Sequence, residues 1–380
     1  MSSTVVGSKV IVVGGGLAGL SAAHTVLERG GRVLVLDKKD FLGGNSVKAT
    51  SGINGALTNT QIKLGIPDSA EIFEKDTALS ANKGKSADST PLIKTLTYES
   101  APAVEWLIEK FNLDLSLVSR LGGHTQPRTH RGKERFPGMT ITYALMEKFD
   151  DLAEKDPTRA QVIVNARVTK LVTDASNANT VVGVEYEHEG KTYTEHGPVV
   201  ICTGGFGADF SDDSILKKVR PDLLHLPTTN GDHNTGDGIK LSQAIGGATV
   251  DLSAVQVHPT GLVHPNDPDA KIKFLAAEAL RGVGGLLLDK DGKRFCNELG
   301  TRDYVTGEMW KLNKAPYRLL LNSKGVKEIE CHCKHYVGRG LMKAFKSGQE
   351  LAQDMKIDSK RLSETFSQYN KAILGECKGL

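Results

Sequence analysis

Residues 9–13 (KVIVV) form a short β-branched run that breaks at Gly14-Gly15-Gly16. Beyond it, apolar residues recur at Leu17, Leu20, Ala23, Val26 and Leu27, the spacing of an amphipathic helix running to about Arg29. Gly30-Gly31 ends that helix, and Val33–Leu36 reads as a second strand closed by Asp37. The order strand, glycine turn, helix, strand is that of a βαβ unit. A second helix or helix pair is expected from Thr90 to Phe111, carrying Leu92, Leu96, Ala103, Val104, Leu107 and Ile108. Strand patterns follow at 162–164, 167–172 and 181–188, the last turning at Glu189-Gly190-Lys191 into 192–194. Val199 to Thr203 is one more buried strand, again ending in Gly204-Gly205. Past about Ser253 short strands and helices mix, and the tail from Leu351 to Leu380 reads as amphipathic helix. No internal repeat or low-complexity linker interrupts the chain.

Composition narrows the class. The chain has 380 residues, 39% hydrophobic and 24% charged, which is globular rather than disordered. Its 41 glycines exceed the usual ~7% share, so many backbone positions must turn tightly or approach a ligand. The net charge of +3 comes from 48 basic and 45 acidic residues spread along the sequence, with no basic stripe that would suit nucleic acid. No apolar run reaches the ~18 residues of a membrane span, and the N-terminus lacks the pattern of a signal peptide. Five cysteines (Cys202, Cys296, Cys331, Cys333, Cys377) are an odd number, which points to a reduced intracellular compartment, cytosol or mitochondrion.

Gly14-x-Gly16-x-x-Gly19 is the G-x-G-x-x-G pattern, and its setting between strand and helix, with Asp37 ending the next strand, makes it a dinucleotide fingerprint. Gly14 makes the turn, Gly16 lets the backbone reach a pyrophosphate, and Gly19 permits close helix–strand packing. Unpaired N–H groups at the helix N-terminus would face the phosphates, and Asp37 would accept from a ribose. The pattern alone does not separate FAD from NAD. Gly43-Gly44-Asn45-Ser46, soon after the second strand, favours FAD, because a further glycine loop there can approach the flavin side.

These motifs resemble the flavoprotein fumarate reductases of the succinate dehydrogenase group, and the soluble yeast-type enzymes in particular. The resemblance rests on VVGGGLAGL (12–20), GGNSVKATSGINGA (43–56), LGGHTQPRTHR (121–131) and TTNGDHNTGDGI (228–239). It continues through QVHPTG (256–261), AAEALRG (276–282), GKRFCNELGTRD (292–303) and HCKHYVGRGLM (332–342). It implies an α/β fold: a Rossmann-like FAD-binding domain over residues 1–252, then an α+β capping domain over 253–380. FAD would be held by Gly14, Gly16, Ala18, Gly19, Asp37, Gly44, Asn45, Ser46, Ser51, Gly52 and Asp237. In membrane-bound relatives a histidine tethers the flavin; Asn45 stands there here, so the FAD is expected to be non-covalent. Ser51 replaces the glycine of many relatives.

The resemblance also implies a chemistry. Reduced flavin would deliver a hydride to one face of a C=C bond, and Arg302 would protonate the other. Glu278 and Arg281 would return a proton to Arg302. His258, Ala277 and Gly52 would bind the dicarboxylate, Ala277 replacing a threonine and so losing one hydroxyl contact. An arginine, with a pKa above ~12, can act as an acid only where a strongly basic carbanion forms beside it and a carboxylate reprotonates it. Without the motifs, His258 would read as a loop histidine, Glu278–Arg281 as a helix ion pair and Arg302-Asp303 as a solvated turn.

Cys331-His332-Cys333-Lys334-His335 has the wrong spacing for a zinc knuckle, so no metal is expected. Trp106 and Trp310 are expected in the core or an interface. Family members continue past the cap into a second histidine and an arginine-bearing R-L-G-G-like loop, which this sequence lacks. The expectation is a C-terminally truncated domain pair. The alternatives are an inactive flavin-binding protein, or a reductase of another unsaturated acid or a ketosteroid-type alkene. Electrons would arrive from a carrier such as reduced free flavin or NADH, with no haem motif and no membrane partner.

Overall fold

The computed structural model describes residues 9–82 and 86–375. Cys377 and the last five positions of the expected tail helix lie outside the described residues. The chain folds as two compact units. The first holds the described residues up to Ala49, Gly138–Val255 and Ala270–Ile272; the second holds Thr50–Pro137, Gln256–Asp269 and the described residues from Lys273 onward.

The first unit is built on the βαβ pattern. Strand β1 (Val10–Val13) lies at the centre of a four-stranded parallel sheet, between β2 (Val33–Leu36) and the strand Val199–Ile201, with Ala160–Ile163 beyond β2. All four residues of β2 are buried, as expected where both faces of a parallel sheet are covered. Helix α1 (Leu17–Glu28) covers one side and is fixed to the helix Pro137–Lys155, where His24 Nε2 meets the Leu145 carbonyl at 2.9 Å. The other side packs on an antiparallel sheet of Arg167–Thr173, Val181–His188 and Lys191–His196. Val168, Leu171, Val184 and Tyr186 from that sheet join Ile11, Val13, Leu34 and Leu36 in one core.

The second unit is mixed. Antiparallel strands Ile53–Asn54, Thr129–Arg131 and Leu117–Ser119 pack beside helices Ala70–Ala81, Pro91–Tyr98 and Ser100–Phe111. The expected 90–111 helix is thus two helices meeting at Glu99. Val104 and Leu107 are buried as their spacing suggests, but Leu92 is 80% exposed and Leu96 61%, so that apolar pair faces outward. Trp310 is half exposed, so it is not a core residue of this unit. The tail forms two helices, Gly348–Met355 and Ser359–Ile373, separated where Lys356 takes φ +57°.

Charge as well as apolar packing closes this unit. Arg128 is fully buried and donates two hydrogen bonds to Asp68 (2.8 and 2.9 Å) and one to Asp76 (2.7 Å), with its guanidinium 4.6 Å from the Phe73 ring centroid. Gln61 and Thr125 complete the two carboxylates. Removing one partner of such a cluster strands the others in low dielectric. Arg128→Ala is therefore expected to destabilise the fold by about 3–5 kcal/mol, read as a lowered denaturant midpoint.

Candidate active site

The glycine turn of the first unit has the shape its spacing suggests. Gly14 has φ +103°, and a Cβ there would lie 2.5 Å from the Cys202 carbonyl oxygen. A Cβ on Gly19 would sit 1.8 Å from the Gly14 carbonyl, so helix and strand touch only because Gly19 has no side chain. A Cβ on Gly16 would make nothing tighter than a 3.5 Å contact with Ser46, leaving space over the turn. Helix α1 has no side-chain cap from Gly16 and no acid in its first turn, so no carboxylate of the helix itself offsets its partial positive end. A helix N-terminus with no acid of its own, beneath open space, suits a pyrophosphate, and FAD fits these residues.

The neighbouring side chains hold that turn. Asp37 accepts the Gly15 N–H at 2.8 Å through one oxygen and the Lys39 N–H at 2.9 Å through the other. Lone pairs remain on both oxygens for a ribose. Ser46 Oγ accepts the Leu17 N–H at 3.0 Å, a bond across 29 residues that positions the helix start next to Ala18. Gly44 has φ +52° in the adjoining loop. Asn45 is engaged at both ends of its amide: Nδ2 donates to Asn230 Oδ1 (2.9 Å) and Oδ1 accepts from Gly231 N–H (2.7 Å). Asp237 opens the helix Asp237–Ala244, bonded to Lys38 Nζ (2.9 Å) and Thr235 Oγ1 (2.6 Å). Burial alone would raise the Asp237 carboxyl, but Thr235 and Lys38 hold it below the usual carboxylate range. Lys38 and Asn230 were not legible as site residues, since their partners lie 185–199 positions away.

Ser51 and Gly52 belong to the second unit. Ser51 has ordinary backbone geometry, and its hydroxyl accepts the Ala279 N–H at 3.2 Å. Gly52 has φ +140°, and a Cβ would lie 2.3 Å from the His130 carbonyl oxygen.

The expected catalytic residues all lie in this second unit and converge on one atom. Glu278 Oε2 is 2.8 Å from Arg302 Nε, 3.6 Å from Arg281 Nη2 and 3.9 Å from His258 Nε2. Arg302 opens the helix Arg302–Leu312, and its Nη1 donates to Gln256 Oε1 at 2.9 Å. Glu278 and Arg281 do not share one long helix. Only the short turn Ala279–Gly282 is helical, and Glu278 is its N-cap, but i,i+3 spacing still brings them together. Glu278 Oε1 accepts the Gly122 N–H at 2.9 Å. Ala277 is fully buried, and its N–H is donated to Tyr336 Oη at 3.0 Å.

Electrostatics sets the charge states. Burial would raise the Glu278 carboxyl, yet Arg302 and Arg281 more than offset it and keep it ionised below its usual value. Burial pushes Arg281 down; Nη1 donates to the Glu298 carbonyl at 2.6 Å, while Nε and Nη2 have no hydrogen-bond partner. Glu298 is itself gripped by Arg294. Burial, aided by Arg302, takes His258 down to about 3, so its ring is neutral. Its Nδ1 accepts from the Thr260 N–H at 3.2 Å, which leaves the proton on Nε2, facing Glu278. Gln256, Gly122 and Glu298 lie inside recognisable motifs, but nothing in their local pattern marked them as partners.

The Cys331–His335 run has other employment. His332 Nε2 meets the Thr50 carbonyl at 2.6 Å, Cys333 is in the apolar core, and His335 stacks edge-on against Phe136. Among the described residues no group of three His, Cys, Asp or Glu side chains could hold a metal ion. No described helix is long and apolar enough to cross a membrane.

Comparison with known proteins places the chain in a family. The FAD binding domain family model matches residues 9–378. The chain is 50% identical to the fumarate reductase of Schizosaccharomyces pombe over 98% of its length, spanning 72% of that protein. It is 39% identical to fumarate reductase 1 of Saccharomyces cerevisiae, over 96% of this chain and 77% of that one. Among solved structures, the open conformation of a flavocytochrome c3 fumarate reductase superposes with a TM-score of 0.68 at 27% identity. That match covers 98% of this chain and 63% of the flavocytochrome. The chain belongs to the FAD binding domain family, and FAD is its cofactor.

Proposed function

We propose that this protein reduces fumarate to succinate, with FAD as hydride source and Arg302 as proton donor. One observation carries the reading: two arginines and a neutral histidine converge on the single buried carboxylate of Glu278. Counting formal charges, the cluster holds one cation more than it has anions to pair. Such an excess in a low-dielectric setting favours an anionic ligand such as a dicarboxylate. Two fumarate reductases of 50% and 39% identity share the family.

When bound, reduced FAD supplies a hydride to one carbon of the substrate double bond. The remaining work falls to the chain. His258 presents a neutral Nε2–H, a hydrogen-bond donor for a substrate carboxylate. Arg302 is held at Nε by Glu278 and at Nη1 by Gln256, so its Nη2 is the end left for the substrate. As negative charge develops on the second carbon, Arg302 gives it a proton. Glu278 then passes a proton from Arg281 to Arg302, a transfer favoured because burial and two unpartnered nitrogens already weaken Arg281's hold on its charge. The product is succinate, and the relay is refilled from solvent.

The proposed cofactor hold is non-covalent, through the 14–19 turn, Asp37, the 44–46 loop, Ser51, Gly52 and Asp237. The proposed electron source is reduced free flavin or NADH. The proposed compartment is the cytosol or mitochondrion, in keeping with Cys202, Cys296, Cys331 and Cys333, which are all free thiols.

Dithionite-reduced protein should be reoxidised by fumarate, and a flavin spectrum that stays reduced would end the proposal. Arg302→Ala should slow that reoxidation by roughly 10²–10⁴-fold, the range of a lost general acid, with bound flavin retained. Because Glu278 must be ionised to accept Arg281's proton and its carboxyl is held down, activity should persist as pH falls to the ordinary carboxylate value of 4.5 and fail below it, provided the fold survives. Gly16→Val fills the space over the turn. It should abolish visible flavin absorbance in purified protein while leaving far-UV circular dichroism unchanged.

A further inference from the structure

We infer that Gly122 is a positioning residue for the relay, its backbone N–H fixing the rotation of the Glu278 carboxylate so that Oε2 alone faces Arg302. The inference rests on the relay proposed above. A carboxylate has two equivalent oxygens, and side-chain rotation could offer either to Arg302. The structure breaks that equivalence. Oε1 accepts the Gly122 N–H at 2.9 Å, whereas Arg302, Arg281 and His258 all lie on the side of Oε2.

The turn that carries this N–H is also docked on Arg302's own support. The Gly123 N–H donates to the Leu299 carbonyl at 2.9 Å, two residues before the cap of Arg302's helix. A Cβ on Gly122 would lie 2.6 Å from the Gly300 carbonyl oxygen and 2.8 Å from Glu278 Oε1. Gly122 has no positive φ, so what it provides is space and an N–H, not an unusual backbone conformation. One turn therefore sets where both members of the Glu278–Arg302 pair stand. A support of this kind acts through geometry, since a small misplacement of reacting groups is enough to slow a transfer.

Gly122→Ala tests the inference because its backbone can adopt the native conformation while its methyl cannot be accommodated beside Glu278 and Gly300. Expected is a roughly ten- to hundredfold loss of kcat with fumarate, with KM and flavin content unchanged. The acid limb of the kcat profile should also move upward, because a carboxylate that loses an N–H donor is more readily protonated. The titratable and charged groups facing Glu278 are Arg302, Arg281, His258 and His124. Gly307→Ala, on Arg302's helix with open space around it, is the control expected to behave as wild type. Wild-type kcat and pH profile in Gly122→Ala would overturn the inference. Full activity in Glu278→Gln would overturn the relay reading instead.

Should Gly122→Ala fail to fold, amide exchange decides the question in its place. The Gly122 N–H should be protected in the native protein and exchange at least tenfold faster in Glu278→Ala. Equal exchange in the two would refute the hydrogen bond's role.

Discussion

A buried carboxylate shared among more cations than it can neutralise is the constraint on which the second unit's chemistry depends. Glu278 would be costly to ionise where it sits, and it is ionised because Arg302 and Arg281 stand against it. Buried Arg281 in turn depends on that carboxylate and on the Glu298 carbonyl. Arg281 makes the limit visible, since two of its buried nitrogens find no hydrogen-bond partner. The cluster is held together by its charges while part of its hydrogen bonding stays unmet.

The other buried charge centre of the same unit shows what a finished cluster looks like. Around Arg128 each of the three guanidinium nitrogens donates to a carboxylate, each carboxylate has further donors, and an aromatic face covers the cation. Nothing there is left to bind. Both clusters use arginine and acid, so residue type alone does not separate scaffold from site. Completeness of the hydrogen bonding does.

Much of the first unit was legible in its residues because local signals there agree. A β-branched run, three glycines, an amphipathic stretch and a second apolar run all specify the same βαβ turn, and Gly14 and Gly19 occupy the tight contacts their spacing suggests. The motif residues Glu278, Arg281, Arg302 and His258 were named from sequence, and they come together in space. What the sequence could not express is long-range partnership. Gly122 meets Glu278 across 156 positions, and Gln256 meets Arg302 across 46. Leu92 and Leu96 show the opposite failure. Helical spacing made a stripe, but spacing does not say whether anything covers it.

Asn45 carries a last consequence. Its amide is a two-way brace, donating a hydrogen bond to the Asn230 side chain in the 228–234 loop and accepting one from the N–H of the next residue, Gly231. An imidazole at that position has no paired donor and acceptor at the same short reach, so it could not replace both bonds. Exchanging asparagine for histidine would thus ask the loop to find new anchorage before any tether to a flavin could form. A single side chain therefore carries two of this loop's holds, and any exchange at Asn45 puts both at stake.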